Sequence, residues 1–218
     1  VVILLALSWC VDAAEVNPPA ARDGAAETGM ASASSEVRYV AKWAIETQDN
    51  GDMPYIVVDK VNAKVFVFDA HGNLQGSTLA LLGMAKGDRM PPGIGNQTVL
   101  AIAPADRITP AGRFVASPGR TLHGGDILWI DYATALALHP VVAGTKLEHR
   151  AQRLASATSD DHRISYGCIN VPAAFYGSVV KPAFANRNSI VYILPEQSSA
   201  RDMFVARAGI AAGMKPDK

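Results

Sequence analysis

The stretch DRMPPGIGNQTVLAIAPADRITPAGRFVASPG, residues 88–119, limits the folding of this chain more than any other. Proline has no amide hydrogen to donate and its ring clashes with the preceding helical turn, so Pro91, Pro92, Pro104, Pro110 and Pro118 exclude a long helix here. Within sheets proline is confined to edges, strand starts and bulges, so the segment predicts loops between short strands. The flanking sequence has the same character. Two apolar runs, Tyr55 to Asp59 and Lys64 to Asp69, are separated by turn residues, and AHGN leads into a third, which predicts a β-meander. DILWIDY (Asp126 to Tyr132) and NSIVYILPE (Asn188 to Glu196) read as further strands, and ATALALHPVV carries His139 at the end of an apolar run. Helical spacing occurs in SEVRYVAKWAIET, where a serine cap precedes Val37, Val40, Ala41 and Ala44. A second helix is expected to begin near Pro172, a residue suited to a first turn.

The N-terminal block has an apolar run from Val1 to Trp9, too short to span a bilayer, followed by small residues at Ala13 and Ala14. This is the pattern of the end of a secretory signal peptide, residues 1–14, without the basic residues that normally begin one. Lipidation at Cys10 is disfavoured because the bulky Trp9 precedes it. Residues 15–35, rich in Ala, Ser, Gly and Pro, read as a flexible linker, residues 36–195 as one globular domain and 196–218 as a loosely attached tail. The expected location is the periplasm, with no transmembrane span in the mature chain. Hydrophobic residues make up 49% of the sequence, ample for one core. Lys+Arg 20 balance Asp+Glu 20, so the basic surface that draws in nucleic acid or anionic lipid is missing.

Cleavage after Ala13 or Ala14 leaves one cysteine, Cys168. In an oxidising compartment such a thiol forms no internal disulfide and is open to oxidation. It is either a small core residue or a nucleophile, and composition leaves the two level. Gly167 before it would let the backbone approach a substrate closely, and a helix after Pro172 would aim N–H groups toward the sulfur or a developing oxyanion. A thiol nucleophile needs an imidazole partner. His71 lies in a turn, His149 and His162 lie in charged sequence expected to be solvated, and His123 stands beside glycines where it faces a site or fills a loop. His139, at a strand end, is the best mount for a general base. One cysteine and scattered histidines lack the paired spacing of a zinc site, so no metal and no cofactor are expected.

Three segments, ITPAGRF (Ile108 to Phe114), ALHP (Ala137 to Pro140) and RISYGCINV (Arg163 to Val171), resemble in order the signatures of the L,D-transpeptidase catalytic domain. The resemblance covers Tyr55 to Pro195. It implies a mainly β fold with short helices, a β-sandwich-like arrangement of mixed sheets, in an exported enzyme that remodels peptidoglycan. By position Cys168 is the nucleophile and His139 the general base, while Ser165, Tyr166 and Gly167 form the turn that orients the histidine and builds the oxyanion hole. The implied partner is a peptidoglycan tetrapeptide stem, opened at its third residue with loss of D-alanine and passed through a thioester to an amine. A covalent carbapenem adduct at Cys168 is a further implication.

Three features depart from the family pattern. Tyr166 stands where the family has His, and Asn170 where it has Arg, with Arg163 the cation expected to approach from the other side of the turn. The interval from His139 to Cys168 is lengthened by the polar segment 141–162, which makes His149 the better fit by spacing alone and would form a lid on the acceptor side. Arg163, Asn170 and His123 are the substrate-binding candidates. The competing readings are an L,D-carboxypeptidase using the same Cys and His, and a catalytically silent wall-binding domain.

Overall fold

The meander forms where the apolar runs place it. In the computed structural model, which describes residues 29–121, 124–142, 144–185 and 187–204, β1 (Tyr55–Asp59), β2 (Lys64–Phe68) and β3 (Leu74–Leu79) pair antiparallel in sequence order. The signal-peptide segment, residues 15–28 of the linker, residues 205–218 of the tail and His123 lie outside the described residues. The remaining strands are β4 (Leu82–Gly83), β5 (Gly112–Arg120), β6 (Asp126–Asp131), β7 (Leu136–Pro140), β8 (Arg163–Ser165), β9 (Ile169–Val171) and β10 (Ser189–Ile193). Eight of them form one mixed sheet in the order β3-β2-β1-β10-β5-β6-β7-β9, and β4 pairs with β8 apart from it. The expected mainly β fold with mixed sheets and short helices is the one observed.

One strand joins the two halves of the large sheet. Gly112 to Ala116 of β5 pair with β10, whereas Ser117 to Arg120 pair with β6. The halves face each other across a common core in which Ile56, Val58, Val65, Val67 and Val191 meet Leu128, Ile130, Leu138, Ile169 and Val171. Side chains alternate across a strand, so the same β1, β2 and β10 send Tyr55, Val57, Phe66, Phe68, Ile190 and Tyr192 to the opposite face. That face is covered by the helix Ser35–Glu46 through Val37, Val40, Ala41 and Ala44, and by Ala200 and Phe204. Burying each large apolar side chain contributes about 1.5–3 kcal/mol, so these two-faced strands are the stable centre of the fold.

Both edges of the expected domain shift for the same reason. Ser34, one residue before the expected cap, accepts from the Val37 N–H at 3.3 Å and donates to Asp59 at 2.7 Å, and Ala33 is buried. At the other end Ala200 is 0% and Phe204 1% exposed, so residues 196–204 belong to the body of the fold rather than to a loose tail. A sheet face that carries Tyr55, Phe66 and Tyr192 needs more cover than a single 12-residue helix supplies.

Candidate active site

Cys168 stands one residue before β9, which is parallel to β7, and the register pairs His139 with Asn170. Directly paired residues present their side chains to the same face, so the ladder sets the candidate base beside Asn170, two residues beyond the thiol. The turn that delivers the cysteine is closed by Ser165, whose hydroxyl donates to the Cys168 carbonyl at 2.6 Å and accepts from the Gly167 N–H at 3.1 Å. Gly167 has φ 129°, and a Cβ on it would lie 2.9 Å from the Ile108 carbonyl oxygen. The glycine therefore serves close packing within the chain.

Thr109 completes the joint. Fully buried, it donates through its hydroxyl to the Gly167 carbonyl at 2.7 Å and accepts from the Gly83 N–H at 2.8 Å. Its own carbonyl accepts from Lys60 Nζ at 3.0 Å, and Lys60 also donates to the Gly87 carbonyl and to Asp88 at 2.6 and 2.7 Å. Arg163 enters the same cluster, donating to Glu196 at 2.6 Å and to the Lys60 carbonyl at 2.9 Å. Its side chain is 7% exposed, so the structure places this cation beneath the turn in a buried ion network and not beside Asn170.

The cation beside Asn170 is Arg150, from the polar segment after β7. Arg150 Nη1 donates to Asn170 Oδ1 at 3.0 Å, and Asn170 Nδ2 lies 3.2 Å from His139 Nε2 and 3.4 Å from the Cys168 carbonyl. His139 Nδ1 is 2.8 Å from the Pro140 carbonyl. Burial pushes the His139 imidazole below its ordinary value, the Pro140 carbonyl opposes this, and the charge of Arg150 adds to it. No hydrogen bond joins the His139 ring to the Cys168 sulfur. The partly exposed thiol points instead to the Ala135 carbonyl, 3.6 Å away. Burial among protein atoms raises its pKa, against the weaker pull of the Ala137 and Cys168 N–H groups. At neutral pH both shifts favour the uncharged thiol and the uncharged imidazole.

The other sequence candidates separate clearly. Tyr166 lies under Arg107, whose guanidinium carbon is 4.0 Å from the ring centroid, a cation–π contact that ties the loop before β5 to the cysteine turn. His149 is exposed, in a left-handed conformation with φ 48°. His162, expected to be solvated, is fully buried, its ring nitrogens 3.0 and 3.1 Å from the Ala80 and Ser156 carbonyls. The charge-rich sequence around it gave no sign of this, because the contacts come from the distant Ala80 and from a turn of the same segment. Thr109 lies within a quoted motif without an assigned role, and Arg150 lies in the polar segment 141–162, beside a histidine expected to be solvated. Among the described residues no group of His, Cys, Asp and Glu could hold a metal ion, and no helix is long and apolar enough to cross a membrane.

No family model matches this chain, and neither does any curated protein. Among solved structures it is similar to an L,D-transpeptidase of Xylanimonas cellulosilytica, with 13% identity, a TM-score of 0.42, and 65% of this chain and 60% of that one covered. It is also similar to the helical cell shape determining protein Pgp2 of Campylobacter jejuni, with 12% identity, a TM-score of 0.43, and 67% and 49% covered. The catalytic domain of the Enterococcus faecium L,D-transpeptidase gives 19% identity and a TM-score of 0.33, with 66% and 98% covered. The chain thus spans less than two thirds of the length of the first two of these structures.

Proposed function

We propose that the protein is an exported cysteine acyl transferase acting on peptidoglycan stem peptides, an L,D-transpeptidase-type enzyme with Cys168 as nucleophile and His139 as general base. The observation that carries this reading is the meeting of the three quoted segments at one point. Thr109 of ITPAGRF holds Gly167 of SYGC, and His139 of ALHP contacts Asn170 of the same turn, with the partly exposed thiol between those contacts in sequence. A merely structural cysteine needs no such convergence of a clamped turn and an oriented imidazole.

The chemistry follows from the groups present. The Cys168 sulfur attacks the carbonyl carbon of the third stem residue while its proton passes to His139, forming a tetrahedral oxyanion. Collapse breaks the bond to the terminal D-alanine, whose nitrogen leaves with the proton from His139, and a thioester remains. An acceptor amine then attacks the thioester and gives a proton to His139, which passes it to the departing sulfur and so restores the neutral thiol and imidazole. Both groups are neutral at rest, so the proton moves as substrate binds rather than being transferred beforehand. For that transfer a His139 nitrogen must exchange its present partner for the thiol.

One observation favours a second reading, the catalytically silent wall-binding domain. Both His139 nitrogens are engaged and neither with sulfur. Incubation with a disaccharide tetrapeptide, followed by mass spectrometry, separates the readings. Release of D-alanine with a cross-linked dimer is expected for the wild type and not for Cys168→Ala or His139→Ala. Release without a dimer identifies a carboxypeptidase. No release, together with no carbapenem adduct on Cys168, leaves the silent domain.

A further inference from the structure

The amide of Asn170 lies between the Arg150 guanidinium and the His139 ring, and the fixed donor character of the first settles the protonation of the second. A guanidinium only donates, so the Asn170 atom 3.0 Å from Arg150 Nη1 is the carbonyl oxygen. The atom 3.2 Å from His139 Nε2 is then the amide nitrogen, a donor, and Nε2 must carry the lone pair. The ring proton sits on Nδ1, where the Pro140 carbonyl accepts it at 2.8 Å. All three contacts agree on one tautomer. Asn170 is itself rigid: it is 1% exposed, and its backbone exchanges two hydrogen bonds with Leu81, at 2.9 and 2.8 Å.

Arg150 is held as firmly from its own side. Its side chain is 10% exposed and its Nε donates to Glu148 at 2.8 Å. The left-handed His149 turns the chain between the 3-10 helix Lys146–Glu148 and the helix Arg150–Leu154, which lets an arginine in an otherwise polar segment point inward. Arg153 closes the segment on itself, donating to the Glu148 and Asp161 carbonyls at 2.9 Å each.

We propose that Arg150 is a positioning residue that acts through Asn170 to hold His139 in the Nδ1–H tautomer, with the Nε2 lone pair directed toward Asn170 Nδ2, two residues beyond Cys168. The segment 141–162 thereby sets the state of the base instead of serving only as a loop. The effect on turnover rests on the function proposed above, whereas the effect on the tautomer does not. In the transferase the Nε2 lone pair is the proton acceptor, and Asn170 guards it until the thiol displaces the amide.

The test is long-range 1H–15N NMR of the histidine side chains at a pH where the ring is neutral. Wild type is expected to show His139 with Nδ1 protonated and Nε2 bare. In Arg150→Ala the amide of Asn170 is free to flip, and the signal should move to the Nε2–H form or a mixture, with partial restoration in Arg150→Lys. Asn170→Asp supplies a second, independent arm, because a carboxylate only accepts and should pull the proton onto Nε2. With tetrapeptide substrate, kcat of Arg150→Ala should fall by about 10–100-fold, the size carried by outer partners of a functional histidine, with little change in KM. An unchanged His139 tautomer in folded Arg150→Ala and Asn170→Asp overturns the proposal even if the wild type is fully active. A tautomer that shifts in the variants, while the wild type keeps Nδ1–H but releases no D-alanine, upholds it and removes the transferase reading instead.

Discussion

At the cysteine turn single atoms decide the outcome. Gly167→Ala would place a methyl 2.9 Å from the Ile108 carbonyl oxygen at a φ of 129°, and denaturant unfolding should register a loss of about 1–3 kcal/mol from backbone strain. Thr109→Val leaves the Gly83 N–H and Gly167 carbonyl without their buried partner, at a cost of about 1–3 kcal/mol. The thiol itself gives a pH prediction. Burial raises the Cys168 pKa, so the thiolate fraction grows only as pH climbs past the ordinary thiol value. The iodoacetamide rate, followed by mass, should therefore keep rising through the alkaline range; a plateau reached below neutrality would mean a preformed thiolate and contradict the neutral pair. Cys168, His139 and Gly167 could be picked out as candidates in the sequence because each sits within a short motif. Arg150 could not, since its contact with Asn170 depends on how a polar segment folds back, and nothing in KLEHRAQR marks the arginine that turns inward.

The elements that hold this turn are joined by the Lys60 cluster. Lys60, fully buried at the turn from β1 to β2, bonds the loop after β4 through Gly87 and Asp88 and the segment before β5 through Thr109. Lys60→Met would strand Asp88 without its cation, leaving Glu196 paired with Arg163 alone, and should cost about 3–5 kcal/mol. Burial pushes the Asp88 carboxyl up, but the Lys60 hydrogen bond and charge together with the Glu196 and Gln197 N–H groups bring it below its ordinary value. A carboxyl depressed in the folded state stabilises above its unfolded pKa and loses that contribution as pH falls through the folded pKa. Urea midpoints measured across the acid range should therefore drop for the wild type, and drop less steeply for Lys60→Met; parallel curves would rule out the coupling. The strands were readable from their apolar runs, and β1, β2 and β3 lie where turn chemistry set them. The ion cluster was not readable, because a lysine in a turn and a glutamate beyond the last strand look solvated until the fold brings them together.

Across the whole molecule, one sheet bends along β5 so that its halves enclose the first core, while a helix and residues up to Phe204 cover the second. Phe66→Ala, on the outer face of that sheet, should cost about 3–5 kcal/mol, and a calorimetric scan should register it as a lowered Tm of a single transition. Alternation in YIVVD and KVFVF announced two-sided burial only in retrospect, since a continuous apolar run does not say what covers each face. Chain order of the three motifs was visible from the start, but their convergence at Thr109, Gly167, Asn170 and His139 needed the fold. That convergence is what the proposed function rests on, with Cys168 as the proposed acyl carrier. The most direct measurement is acid-quench mass spectrometry of the protein after brief exposure to disaccharide tetrapeptide. The account predicts a thioester-linked disaccharide tripeptide on the peptide containing Cys168, abolished in Cys168→Ala and accompanied by free D-alanine. D-alanine released equally by Cys168→Ala, or a wild type that forms neither adduct nor D-alanine, would contradict it.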